Sequence, residues 1–169
     1  MTDVWHSRTT DALPHNSFSY SLAARKAAAR SLSTVRQAHG DMPPQLRKVP
    51  SQSRSRMLVD SVKEACMLAL DQRGIEGLSV SAIVEVSGVT FGSIYQYFPN
   101  LDGIIAAIYD DTITAALARA SEHGEVEAEM SALCDELKSL DERFERDFYA
   151  RYYSTMLQSL TEAKQDRAN

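Results

Sequence analysis

Apolar residues recur at spacings of three and four along most of the chain beyond residue 53, and that period predicts helices. Leu58, Val62, Ala65, Cys66, Ala69 and Leu70 share one face of a helix running from about Arg54 to Arg73. Ser53 or Ser55 can cap its start, and Gly74 stands where a helix-ending glycine belongs. A short helix is expected over Val80–Ser87, with Ser79 as cap and Val80, Ile83, Val84 and Val86 as its apolar contacts. Gly88 ends it in a tight turn that wants a positive φ, and Val89 plugs the corner. Thr90 caps a third helix, Phe91–Phe98, which Pro99 closes. Asn100 caps a fourth, from Leu101 to about Ser121. After the break at His123-Gly124, two more helical stretches are predicted, Val126–Leu140 and Asp141–Glu162. Nothing from residue 54 onward alternates as a strand does, so the fold class is all-α.

The front of the chain reads differently. Residues 1–41 are rich in Ser, Ala, Arg and His and hold few large apolar side chains, which predicts an unstructured N-terminal extension. Ser21–His39 has the Ala and Arg content of a helix, but a lone helix of that length is marginal in water. Three readings of this leader stand: translation that starts at Met42, a native disordered arm, or a targeting peptide. From Met42 the prolines Pro43, Pro44 and Pro50 block helix formation while Arg47 and Lys48 supply charge, so residues 42–53 read as a flexible basic arm. Residues 54–101 then form a three-helix unit, and 102–169 a second, short helical part.

Charge sharpens this division. Residues 1–56 carry nine Lys/Arg against three Asp/Glu, whereas residues 57–169 carry nine against twenty. A basic front and an acidic rear point to nucleic-acid contact on the N-terminal side. No apolar run approaches the ~18 residues that would cross a bilayer, which leads us to expect a cytoplasmic protein with no membrane partner. Cys66 and Cys134 stand at apolar helical positions with no ligand-spaced neighbour, and His6, His15, His39 and His123 are scattered, so no metal site is expected. The acidic run Glu122, Glu125, Glu127 and Glu129 reads as a solvated helix start favoured by the helix dipole. No phosphate loop, nucleophile elbow or carboxylate pair argues for an enzyme or a cofactor.

The two short helices about Gly88-Val89-Thr90 have the outline of a helix-turn-helix, whose second helix enters the major groove. Ile94 and Phe98, four apart and apolar, should point inward; at about 100° per residue Gly92 and Gln96 then lie nearly opposite, with Ser93 and Tyr95 on the flanks. Gly92 would let a DNA backbone approach, Ser93 could bond phosphate or base, and Gln96 could donate to and accept from the major-groove edge of adenine. Periodicity alone is equally compatible with a helical hairpin whose polar face meets water.

The wording of the motif goes further. Arg47-Lys48-Val49-Pro50-Ser51-Gln52-Ser53-Arg54-Ser55-Arg56, then Gly74-Ile75-Glu76-Gly77-Leu78-Ser79-Val80, then Gly88-Val89-Thr90-Phe91-Gly92-Ser93-Ile94-Tyr95-Gln96-Tyr97-Phe98-Pro99-Asn100 resemble the TetR family of bacterial transcriptional regulators. The resemblance covers roughly residues 45–110. It implies base contacts by Phe91, Gly92, Ser93, Tyr95 and Gln96, and phosphate contacts by Lys48, Arg54, Arg56, Ser79, Thr90 and Tyr97, the last through its hydroxyl. It also implies a ligand-responsive repressor that binds double-stranded DNA at a palindromic operator as a homodimer and answers to a small-molecule effector.

The departures are specific. The lysine usual after the asparagine is Leu101, the second helix has Ser81 where an arginine is common, and Val84 and Ser87 replace alanines at the helix crossing. Fewer cations mean a smaller sequence-independent affinity, for which the basic arm can compensate. Only 68 residues follow Leu101, so residues 102–169 are expected to be a truncated ligand-binding and dimerisation domain. Phe144, Phe148 and Tyr152 could line its ligand pocket or simply fill its core. The alternative function is a degenerate family member that no longer binds an operator and acts only as a ligand-sensing or dimerisation partner.

Overall fold

The computed structural model describes residues 22–38 and 42–168. Among them every regular element is helical: α1 (Leu22–Ala38), α2 (Ser53–Arg73), α3 (Val80–Ser87), α4 (Phe91–Tyr97), α5 (Leu101–His123), α6 (Val126–Phe144) and α7 (Ser154–Ala168). A 3₁₀ turn at Ile75–Gly77 links α2 to α3, and a π-helical stretch, Tyr149–Tyr153, leads into α7.

α5 is the spine. Ile104, Ile105, Ala106, Ala107, Ile108 and Tyr109 are buried in succession, so the helix is covered on all sides rather than along one stripe. α1, α2 and α6 are its neighbours. Ahead of it, α2, α3 and α4 form the three-helix unit expected from the sequence, with α3 on the residues foreseen. The predicted cap of α2 is corrected. The capping position is Gln52, whose side chain makes no capping bond, and Ser55 instead donates its hydroxyl to the Gln52 carbonyl at 2.8 Å.

The expectation of an unstructured leader is also corrected over its described part. α1 is a docked helix: Ala24, Ala28 and Leu32, four residues apart, are buried, and α1 lies against α5 and α7. The argument that a lone helix is marginal holds for a helix with no partner. Here two alanines let the axes come close and a leucine fills the contact. Residues 1–21 and 39–41, which complete that leader, lie outside the described residues.

The rear helices break four residues later than expected. α6 runs through Asp141 to Phe144, and the chain turns at Glu145, which adopts φ 48° and ψ 49°. That left-handed conformation costs a non-glycine residue roughly 1–2 kcal/mol, and local bonds offset it. The Arg146 N–H reaches the Asp141 carbonyl at 3.0 Å, and the Arg146 guanidinium holds Asp102 on α5 at 3.1 Å and the Phe144 carbonyl at 3.2 Å. The Asp141 side chain, near the end of α6, serves the start of the following helix. Its carboxylate accepts from the Tyr149 N–H at 3.0 Å and the Ala150 N–H at 3.4 Å.

Ion pairs tie the front unit to the rear. Lys63 of α2 is buried between Asp60, at 2.9 Å, and Asp111 of α5. Burial alone would lower its pKa, but the two carboxylates outweigh burial and raise it, so the ammonium form is held. Arg143, at the end of α6, meets Asp71 of α2 at 2.7 Å.

Candidate nucleic-acid interface

The reading unit is set by local caps. Ser79 accepts the Ala82 N–H on its hydroxyl at 3.1 Å, fixing the start of α3. Gly88 takes φ 69° and ψ 6° and returns its N–H to the Val84 carbonyl at 2.9 Å, a left-handed exit that glycine makes without Cβ strain. Thr90 then accepts the Ser93 N–H at 3.3 Å and donates its own hydroxyl to Ser93 Oγ at 3.0 Å. Beyond α4, Asn100 accepts the Gly103 N–H at 2.9 Å and starts α5. A helix of only seven residues, α4, is thereby held at both ends.

Its faces divide as the spacing requires. Ile94 and Phe98 are both 0% exposed, while Gly92 and Gln96 lie open to solvent and Ser93 is half-buried. Phe91 and Tyr95 are 46% and 41% exposed, and their rings stack at a centroid distance of 6.5 Å and an angle of 15°. Two aromatic rings exposed side by side on a short helix leave apolar surface in water, which a monomeric protein normally avoids unless something covers it. Gly92 carries the same message. A Cβ built there would meet nothing within 4 Å, so the protein's own packing does not require a glycine. In a helix glycine costs about 1 kcal/mol relative to alanine. The space it leaves faces outward.

Tyr97 is placed differently from the other residues of this helix. It is 6% exposed and belongs mainly to the core. Its backbone carbonyl has a role that sequence reasoning missed: it accepts the Arg47 N–H at 2.8 Å. The arm before α2 is therefore held against the end of α4, with Pro43 buried and Met42 and Leu46 packed on the core. A backbone bond between residues fifty positions apart leaves no mark in composition or period.

Between Ser79 and Asn100 the one charged residue is Glu85, and Arg73 of α2 neutralises it at 2.5 Å. Positive charge comes from outside the two short helices. Arg47, Lys48, Arg54 and Arg56 are all exposed and engage no carboxylate among the described residues. Leu101, at the position where a lysine was looked for, packs half-buried against the core. The interface thus has a neutral, aromatic and amide-bearing centre with cations on the arm and the start of α2. That distribution suits a groove reader flanked by phosphate contacts.

Rear aromatic residues have a different environment. Phe144 and Phe148 are buried and Tyr152 half-buried. Tyr109 stacks on Tyr153 at 5.4 Å and meets Phe148 at 5.6 Å, and its hydroxyl donates to Asp141 at 2.6 Å. Burial first, and Asp141 second, push the Tyr109 phenol far up, so it stays protonated. An open cleft of about 510 Å³ does lie between α6 and α7, lined by Met130, Cys134, Tyr149, Leu157, Gln158 and Glu162, among others. Phe144, Phe148 and Tyr152 are not part of its lining. The Tyr149 phenol there is pushed up to about 12, first by its bond to the Cys134 thiol and then by burial. In the acidic run, Glu129 pairs with Arg119 at 2.8 Å. Among the described residues no His, Cys, Asp and Glu group could hold a metal ion, and no helix is long and apolar enough to cross a membrane.

Residues 64–108 match the family profile described as bacterial regulatory proteins, tetR family. The match takes in the second half of α2, all of α3 and α4, and the start of α5. No curated protein and no solved structure matches the chain.

Proposed function

We propose that this chain, a DNA-binding transcriptional regulator by virtue of its TetR-family helix-turn-helix domain, is a repressor that binds a palindromic operator as a homodimer and is released by a small-molecule effector. One helix-turn-helix reads only a half-site, and a two-fold dimer supplies the second. In this reading Phe91, Gly92, Ser93, Tyr95 and Gln96 of α4 meet base edges. Lys48, Arg54, Arg56, Ser79 and Thr90 meet phosphates, and the buried Tyr97 makes the least of these contacts. Promoter binding places the protein in the cytoplasm, and the cleft between α6 and α7 is the candidate effector site.

The observation that supports base reading most is the outward face of α4, where Gly92 leaves room that no other described residue uses. Selection of bound fragments from a random DNA pool, together with molecular mass in solution, tests it. An inverted-repeat consensus and a mass of two chains are expected; a pool that stays random would end the reading. Gln96→Ala should relax preference at one position of each half-site by about 1–3 kcal/mol. Arg54→Ala should weaken binding to all sequences alike and reduce the salt slope by about one ion.

A second reading, a family member that has lost its operator and acts as a dimerisation or ligand-sensing partner, draws on the absence of any cation between Ser79 and Asn100. Absence of any gel retardation at low salt, where phosphate attraction is strongest, would favour it.

A further inference from the structure

We propose that α1 is the anchor that sets the basic arm on the DNA-facing side of the molecule, making Ala24, Ala28 and Leu32 positioning residues for DNA binding although they touch no DNA. The inference rests on the DNA-binding reading above. The arm, residues 42–52, leads into α2 and follows α1 three residues further along the chain, and three contacts bear on it. Upstream, α1 is docked on α5 and α7 through the buried stripe Ala24, Ala28 and Leu32. Next, Met42, Pro43 and Leu46 rest against the core. Then the Arg47 N–H is bonded to the carbonyl of Tyr97, the last residue of α4.

The consequence is electrostatic. Arg47 and Lys48 are exposed, engage no carboxylate among the described residues, and emerge where the arm meets the C-terminal end of α4. The two short helices have no cation of their own, so these two side chains account for much of the charge next to the reading helix. An arm fixed at its upstream end has lost its chain entropy before DNA arrives, and binding does not have to supply it. A free arm would carry the same charges and hold them less often in place. Among the described side chains of α1 the buried stripe is one leucine and two alanines, and a charge placed in that stripe should undo the docking.

The test uses the full chain with Leu32→Asp, and Ala28→Gln as a milder undocking variant, each checked for thermal unfolding. Trypsin cleavage after Arg47 and Lys48 should be slow in the unaltered chain and at least about tenfold faster in Leu32→Asp, since local opening governs proteolysis of native chains. Affinity for a bound DNA fragment should fall about tenfold, with base preference unchanged. The deciding measurement is a double-mutant cycle. In a chain that already carries Arg47→Ala and Lys48→Ala, undocking α1 should change affinity by less than twofold, because the cations it positions are gone. An equal loss with and without those cations, or equal trypsin rates in docked and undocked chains, would overturn the proposal. If the unaltered chain retards no DNA at any salt, the DNA reading itself is lost, and the trypsin rates still decide whether α1 anchors the arm.

Discussion

Aromatic side chains are used in opposite ways at the two ends of this molecule. In α4, Phe91 and Tyr95 stack on each other in the open. Under the rear helices, Tyr109, Phe148 and Tyr153 stack out of contact with water, and their two hydroxyls are bonded to Asp141 and Asp110. Polar groups follow the same division. Cations of the arm and of the start of α2 meet no carboxylate among the described residues, whereas Lys63, Arg119, Arg143 and Arg146 each close on one. A region that completes its own contacts is built to be stable. One that leaves rings, an amide and cations open to solvent is built to meet something else.

Truncation should separate the two regions most clearly. Phe144→Ala removes a fully buried ring and should cost about 3–5 kcal/mol of stability. Phe91→Ala should stay within about 0.5 kcal/mol in the same urea titration while weakening DNA binding. Equal stability losses would dissolve the contrast.

Alkaline pH should act on the interior alone. Burial pushes the Cys66 thiol from 9.0 up to about 12. A folded-state pKa above the unfolded value gives stability that is whole below pH 9 and drains as the pH climbs toward 12. The raised pKa of Lys63 acts in the same sense from 10.5 upward. The expected loss is roughly 1 kcal/mol per pH unit on that limb. Below pH 10, before Lys63, Tyr109 and Tyr149 join in the same sense, Cys66→Ala should flatten it in a series of thermal melts, and an unchanged slope there would mean that the thiol is not responsible. A smaller effect, about 1–3 kcal/mol, is expected for Asp141→Ala, which strands the Tyr109 hydroxyl and the Tyr149 N–H together. Tyr109→Phe should recover most of the side-chain share when added to it. Simple additivity of the two changes would argue against the bond.

Much of the reading unit could be inferred from residues alone because its determinants act within four positions. Ser79, Thr90 and Asn100 cap the helices they precede, Gly88 makes the positive-φ turn, and Ile94 and Phe98 face inward. Each choice is a bond or a side-chain direction within one turn of backbone, so order along the chain is sufficient to specify it. Where such rules were applied to a position with two plausible chemistries they went astray, as at Ser53 and Ser55, which leave the capping position to Gln52.

What the amino-acid order could not decide is what meets what across the fold. The docking of α1, the Arg47 bond to Tyr97, the buried pair of Lys63 with Asp111 and the late turn at Glu145 each join segments whose sequences carry no reference to one another. Phe144 shows the reason. Period places it on an apolar face, but whether that face lines a cavity or fills a core depends on the helices laid against it, and here they close over it completely. Short-range chemistry is written in the chain, while contact between distant surfaces exists only once the helices have packed.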